Sequence, residues 1–334
     1  MKPKNTKDSE ATHEENMEKA RRYGIKYIDL KIDFAFKFVF GTHGKEDLLL
    51  MLIDCILPDK HIVSVTLGPQ EQMPDNPDKR RSIYDINCTT ESGTHITVEM
   101  QCAKQSDFNN RMVYYSSYTL RNTLKRGEEG FEYPELYVIG ILDFLLPGVR
   151  ENPEVVNHYS LRNDRDDGIM LTDTLHYVTI ELPKFNKQLD ELDGPLDNML
   201  YLFCNLGRMK EIPVYFKDKN LDKLFETTMF ANMTQEQQDR YFREFMYEMD
   251  QKSRMRTARE DGIAEGKAEG LAEGEARGRA EGRAEGRAEG HAEGRAEGRA
   301  EGRADTARAM KAEGLPIEVI ARCTGLTQDQ IAML

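Results

Sequence analysis

Asp85, Glu99 and Gln101 are the residues whose types and spacing could do chemistry. They lie in the stretch YDINCTTESGTHITVEMQ, residues 84–101, where apolar and polar residues alternate on both sides of Gly93. Tyr84, Ile86 and Cys88 share one face with Ile96, Val98 and Met100, and the other face collects Asp85, Asn87, Thr97, Glu99 and Gln101. Alternation about a glycine predicts a β-hairpin. With Glu91, Ser92 and Gly93 as its loop and Gly93 in the left-handed position, Thr90 pairs with Thr94 and Asp85 stands opposite Glu99. Opposed side chains on one face have Cβ atoms about 5 Å apart, so the two carboxylates repel. A divalent cation compensates such a pair. Mg²⁺ takes one or two carboxylates and completes its octahedron with waters and phosphate oxygens. Gln101 can orient an attacking water or contact a phosphate, with Asn87 behind the two acids. The alternative is a solvated sheet face, on which Asp, Asn, Thr, Glu and Gln are ordinary.

The flanking elements decide between the two. After the hairpin, SDFNNRMVYYSSYTLRNTLKRG predicts a helix that can start at Ser106 or Asp107 and end at Gly127. Arg111 and Tyr115 lie one turn apart on it and can approach the polar face. YPELYVIGILDFLL follows as a continuous apolar run, the mark of a strand buried on both faces. The hairpin's polar face is therefore expected to be covered, and a covered pair of acids beside an arginine is a candidate site. Upstream, KEDLLLMLIDCILP carries a helical stripe and HIVSVTLG reads as a short strand. In IDFAFKFVFG the phenylalanines fit a strand, and Phe36 and Phe40 also fit a helix. Lys37 either reaches the site from this element or pairs with Asp33 on its surface. LHYVTIELPKF supplies another strand, and residues 190–256 read as helices. The order helix, strand, hairpin, helix, strand points to an α/β core with a mixed sheet.

The chain has 334 residues, 39% hydrophobic and 31% charged, with a formal net charge of −13. That charge argues against coating nucleic acid by bulk electrostatics and leaves room for local basic islands such as Lys79, Arg80 and Arg81. Five cysteines without CxxC spacing read as reduced thiols in a cytoplasmic protein. No apolar run is long enough to span a membrane. The charged residues 1–22 are expected to be disordered.

From Gly262 to Gly302 a glycine recurs at every fourth position, mostly as RAEG. Ala, Glu and Arg favour helix, but each glycine costs about 1 kcal/mol relative to alanine, and the repeat puts like charges at i,i+4. Alone in water such an arm (257–304) is marginal: a solvated spacer or, if ordered, an oligomer contact. Residues 305–334 predict a small helical hairpin, helix-turn-helix-like, with a Gly325 turn. It is too small to stand alone unless 305–313 joins it, and it suits oligomer contact as well as DNA reading.

Asp85 followed by Glu99-x-Gln101 resembles the PD-(D/E)xK nuclease signature, with Gln in place of the usual Lys. DFAFKFVFG, VEMQ, FNNRMVYYSSYTL and YVIGILDF together resemble the Rpn-type branch, the recombination-promoting nucleases or PD-(D/E)xK family transposases, over residues about 27–250. The resemblance implies a restriction-endonuclease-like αβββαβ core within residues 23–256. It also implies Mg²⁺-dependent DNA endonuclease activity, with one or two ions on Asp85 and Glu99, and an association with recombination or transposition. Lys37 would replace the missing lysine beside Gln101, while Arg111 and Tyr115 would contact phosphate. DNA would approach along Lys79, Arg80 and Arg81. The competing expectation is a degenerate nuclease fold serving as a DNA-binding or oligomeric scaffold, with the arm as its working part.

Overall fold

A computed structural model describes residues 12–69, 71–72, 82–83, 85–103, 107–123, 133–147, 152–217 and 219–334. It divides into two compact units, 1–251 and 252–334.

The first unit opens with helix α1 (His13–Tyr23), which corrects the expectation of disorder up to residue 22. Thr12 and Glu15 form a reciprocal capping box at its start, and Gly24 closes it in the left-handed conformation. Asn16 and Ala20 are buried, and Asn16 donates to Asp239 at 2.6 Å. Charge alone hid this docking, because only a narrow stripe of the helix is covered.

Helix α2 (Asp33–Phe40) settles the ambiguity of the phenylalanine run. Phe36 and Phe40 are fully buried and pack on each other and on Phe203. Helix α3 (Glu46–Ile56) follows, then strand β1 (Val65–Leu67) and a small ribbon of β2 (Glu71–Gln72) with β3 (Ser82–Ile83). The hairpin is β4 (Ile86–Thr90) and β5 (His95–Gln101), in the register Ile86 to Val98 and Cys88 to Ile96. Its loop closes with Thr90 N–H donating to the Thr94 carbonyl at 2.9 Å, and Gly93 has φ +89°, where a side chain would be strained.

Helix α4 (Phe108–Thr123) leads to β6 (Leu136–Leu142), then β7 (Val156–Ser160) and β8 (Leu175–Glu181). The six-stranded order is β1-β4-β5-β6-β8-β7, with β5, β6 and β8 parallel and the rest antiparallel. β7 was not foreseen: it is an edge strand, half exposed, with no strong apolar alternation. Helices α5 (Gly194–Asn205), α6 (Asp222–Thr228) and the start of α7 (Gln235–Ala312) complete the unit.

The sheet has two unlike covers. Ile86, Cys88, Ile96, Val98, Met100, Ile139 and Ile141 face the large core with α2, α3 and α5. Leu136, Val138 and Leu142 point the other way, beneath Phe108 and Met112 of α4. The polar residues of the hairpin share this second face. Gly140, paired with Glu99 across the β5–β6 ladder, permits it: a Cβ there would sit 2.8 Å from the Phe108 ring.

In the second unit α7 continues as one helix through the whole glycine repeat to Ala312. Helices α8 (Ile317–Thr324) and α9 (Gln328–Met333) fold back on its end. Ile320 and Ile331 are fully buried with Ala307, and Met310 packs beside them. Residues before 313 therefore do join the hairpin, and Ile320 and Ile331 find cover within the chain while Ile317 stays exposed. Thr327 and Gln330 form a capping box at α9.

Candidate functional site

The site is built at the carboxyl end of β5, where three elements converge. β4 begins beside Asp85, β5 ends with Glu99 and Gln101, and α4, packed on β6, reaches that end of β5 with Arg111. Asp85 and Glu99 are 8% and 2% exposed, so the polar face is covered and not solvated. Glu99 Oε1 accepts the Asp85 N–H at 3.2 Å, and Asp85 Oδ2 accepts the Met100 N–H at 2.8 Å. Each acid thus fixes the other's backbone.

Cations arrive from two helices. Lys37 Nζ on α2 lies 3.0 Å from Asp85 Oδ1 and 2.7 Å from Asp33 Oδ1. The two sequence-level options for this lysine are both realised: it pairs one turn back on its own helix and also reaches Asp85. On α4, the Arg111 guanidinium donates to Gln101 Oε1 at 3.2 Å and to the Tyr115 hydroxyl at 3.0 Å, and lies 3.5 Å from Glu99 Oε2.

Burial sets the proton affinities. It pushes the Asp85 carboxyl up, against the pull of the Lys37 ammonium. Glu99 is raised well above the ordinary carboxylate range, by burial first and by the neighbouring Asp85 second, with Arg111 opposing. Burial also works against the charge on Lys37, but Asp85 and Asp33 outweigh it and hold the ammonium above its usual value. The Tyr115 hydroxyl is raised by burial and by Glu99.

Asp85, Glu99, Gln101, Arg111 and Tyr115 line an open cavity of about 440 Å³ together with Lys31, Asp33, Cys102 and Glu248. Sequence reasoning missed Lys31 and Glu248. Lys31 pairs with Asp143, just past β6, at 3.3 Å. Its proximity to IDFAFK was the only available signal. Glu248 comes from α7, and no local pattern ties that helix to the hairpin. Asn87 is buried near the pair, with its Oδ1 lacking a hydrogen-bond partner. Lys79, Arg80 and Arg81 lie outside the described residues.

The donor set suits a divalent cation. Four carboxylates, from Asp33, Asp85, Glu99 and Glu248, meet the cations of Lys31, Lys37 and Arg111, and Lys31 is itself paired with Asp143, leaving the acids undercompensated. A carboxylate offers about four lone-pair sites, so the existing hydrogen bonds leave Asp85 and Glu99 able to coordinate. Among the described residues no group of three or more His, Cys, Asp or Glu is arranged to hold an ion. Any ion here would therefore draw the rest of its shell from water or substrate oxygens, the habit of Mg²⁺.

The sequence pattern of the PD-(D/E)XK nuclease family transposases matches residues 30–258, and the chain belongs to that family. The six-stranded mixed sheet with its helices is the expected α/β nuclease-like core. Nucleases of this kind generally use divalent metals. No curated protein and no solved structure matches the chain. Among the described residues no helix is long and apolar enough to cross a membrane.

Proposed function

We propose that this member of the PD-(D/E)XK nuclease family transposases is a Mg²⁺-dependent DNA endonuclease that acts in recombination or transposition. The observation that carries the reading is the covered acid pair, Asp85 and Glu99, opened to a cavity and flanked by Lys37 on one side and Arg111 on the other. A structural ion pair needs no cavity, and a scaffold gains nothing from burying two acids whose carboxyls burial pushes up.

Asp85 and Glu99 would hold one or two Mg²⁺, whose chemistry is polarisation of phosphate oxygens and acidification of water. Lys37 supplies the positive charge that Gln101 lacks. From its place between Asp33 and Asp85 it would offset negative charge developing on the phosphate. Gln101 uses its carbonyl oxygen to hold Arg111, leaving its amide free to orient the attacking water. Arg111, steadied by Tyr115, would clamp a phosphate oxygen. Lys79, Arg80 and Arg81 would guide the DNA backbone, so binding should weaken steeply as salt rises.

The deciding experiment is nicking of supercoiled plasmid by wild type and Asp85→Ala, each with Mg²⁺ and with a chelator. Cleavage by wild type alone, and only with Mg²⁺, is expected. Equal cleavage by the two proteins would overturn the reading.

A further inference from the structure

Helix α2 carries two charged groups of the site, Asp33 and Lys37, yet it begins without a local cap. Ile32 precedes its first turn and has no side chain that can accept from the free N–H groups there. The missing acceptor comes from a distant helix. Glu244 Oε2, on α7, accepts the Phe34 N–H at 2.7 Å. One turn earlier on α7, Arg240 lies 3.6 Å from Glu244, and its guanidinium sits 5.0 Å from the centre of the Phe34 ring. The Tyr241 hydroxyl accepts the Asp29 N–H at 3.0 Å, fixing the chain just ahead of α2. One turn beyond Glu244, Glu248 reaches the cavity wall. Residues 240, 244 and 248 form one stripe on α7, at the spacing that aligns side chains on a helix face.

We infer that Glu244 is a positioning residue for phosphodiester cleavage, acting through α2 on the Asp33–Lys37–Asp85 bridge. The inference rests on the nuclease reading above. Glu244 holds the N–H of Phe34, and Asp33 is the neighbouring residue at the start of the helix. Asp33 in turn holds Lys37 at 2.7 Å, and Lys37 holds Asp85 at 3.0 Å. If the cap is removed, the first turn frays and the anchor of Lys37 moves. A lost cap is a minor matter for a fold with this much buried core, but a displacement of about 1 Å at a reacting group can cost about a hundredfold in rate.

The test is steady-state cleavage of a DNA duplex by full-length wild type, Glu244→Ala, Glu244→Gln, Lys37→Ala, the Glu244→Ala/Lys37→Ala double variant, and Asp85→Ala. Glu244→Ala is expected to lower kcat about tenfold with KM within about twofold. Glu244→Gln, which keeps an acceptor oxygen at the same reach, should recover most of that loss. In the Lys37→Ala background Glu244→Ala should cost no more than about twofold, because both act through one group. Equal losses in both backgrounds, or a change confined to KM, would overturn the inference. Should Glu244→Ala fail to melt cooperatively, Glu244→Asp replaces it, one methylene too short for the cap; activity equal to Glu244→Gln would then overturn it. Cleavage that survives Asp85→Ala sinks the nuclease reading itself. Cleavage lost in Asp85→Ala but unchanged in Glu244→Ala sinks only the role of Glu244.

Discussion

Five of the eight residues of α2 are buried, whereas residues 252–303 of α7 are exposed at every position. The short helix has the poorer local sequence: aromatic and β-branched residues, alternating as a strand would. It is helical because Phe36, Phe40 and Val39 complete the core, and tertiary packing outweighs a propensity deficit of a few tenths of a kcal/mol per residue. The long segment has the opposite balance. Its alanines, glutamates and arginines favour helix locally, its glycines oppose it, and nothing packs on it. Where the phase of the repeat slips, ion pairs become available: Arg277 with Glu281 at 2.8 Å and Arg279 with Glu275 at 3.2 Å. Each exposed pair contributes only about 0.3–0.5 kcal/mol. Chemistry that needs fixed side chains belongs on the packed elements, and the arm is free to vary.

The largest effects should therefore fall in the packed unit. Asp85→Ala and Glu99→Ala are each expected to lower cleavage by about a hundredfold or more, a barrier change of about 2.7 kcal/mol. Truncation after Arg256 should change it by less than about tenfold while lowering the mass in solution. Nicking assays run beside light scattering check both. Loss of nicking in a folded truncated protein would erase the contrast between the two regions.

Gln101→Lys should have a smaller effect. It places a cation at the position where the nuclease signature carries lysine, but next to Arg111, which now donates to Gln101 Oε1. Activity within about tenfold of wild type is expected, the new charge offsetting the lost tie to Arg111. Complete inactivity with an unchanged melting temperature would give the carboxamide an orienting role that no cation can fill.

How far the sequence foretold this site follows from where its signals are local. The hairpin register, its glycine turn and the shared face of Asp85, Glu99 and Gln101 rest on period-two alternation, which a covered sheet face enforces over a few residues. Arg111 and Tyr115 were legible for the same reason, one helical turn apart beside the hairpin. Lys37 was ambiguous because its helix is made by burial against Phe203, far along the chain. Glu248 and the Glu244 cap were illegible because both depend on how α7 docks, and Lys31 because its partner Asp143 lies past β6; no local period encodes either. α1 was misread since its charged majority faces solvent.

Next in size is a stability effect at Glu99. Its carboxyl is raised in the folded protein by burial and by Asp85. The folded state therefore holds the proton more tightly than the unfolded chain, so stability falls as pH rises from the ordinary carboxylate range through the folded value. Glu99→Gln mimics the neutral acid and is free of that penalty. Without metal it should melt a few degrees higher than wild type at pH 8, the gap closing by about pH 4. Melting curves across this range check it. A gap that is constant with pH would mean that packing, not ionisation, separates the two.

The smallest effect lies in the arm. Replacing Gly282, Gly286 and Gly290 by alanine should stabilise the helix by about 1 kcal/mol per site, because alanine removes the backbone entropy cost of glycine. A Cβ at each of these positions meets nothing within 4 Å, so no clash opposes the gain. The full-length triple variant should show more helix by far-UV circular dichroism and hold it to higher temperature, with cleavage unchanged. An arm that serves as an oligomer contact gives the contrary outcome. If chains approach one another closely at the glycines, three added methyl groups would separate them. The variant would then lose mass in light scattering even as its isolated helix became more stable. A gain in helicity with constant mass makes the repeat a spacer set by local propensity. A loss of mass makes its glycines contact points, and the arm would then share with α2 a dependence on what packs against it.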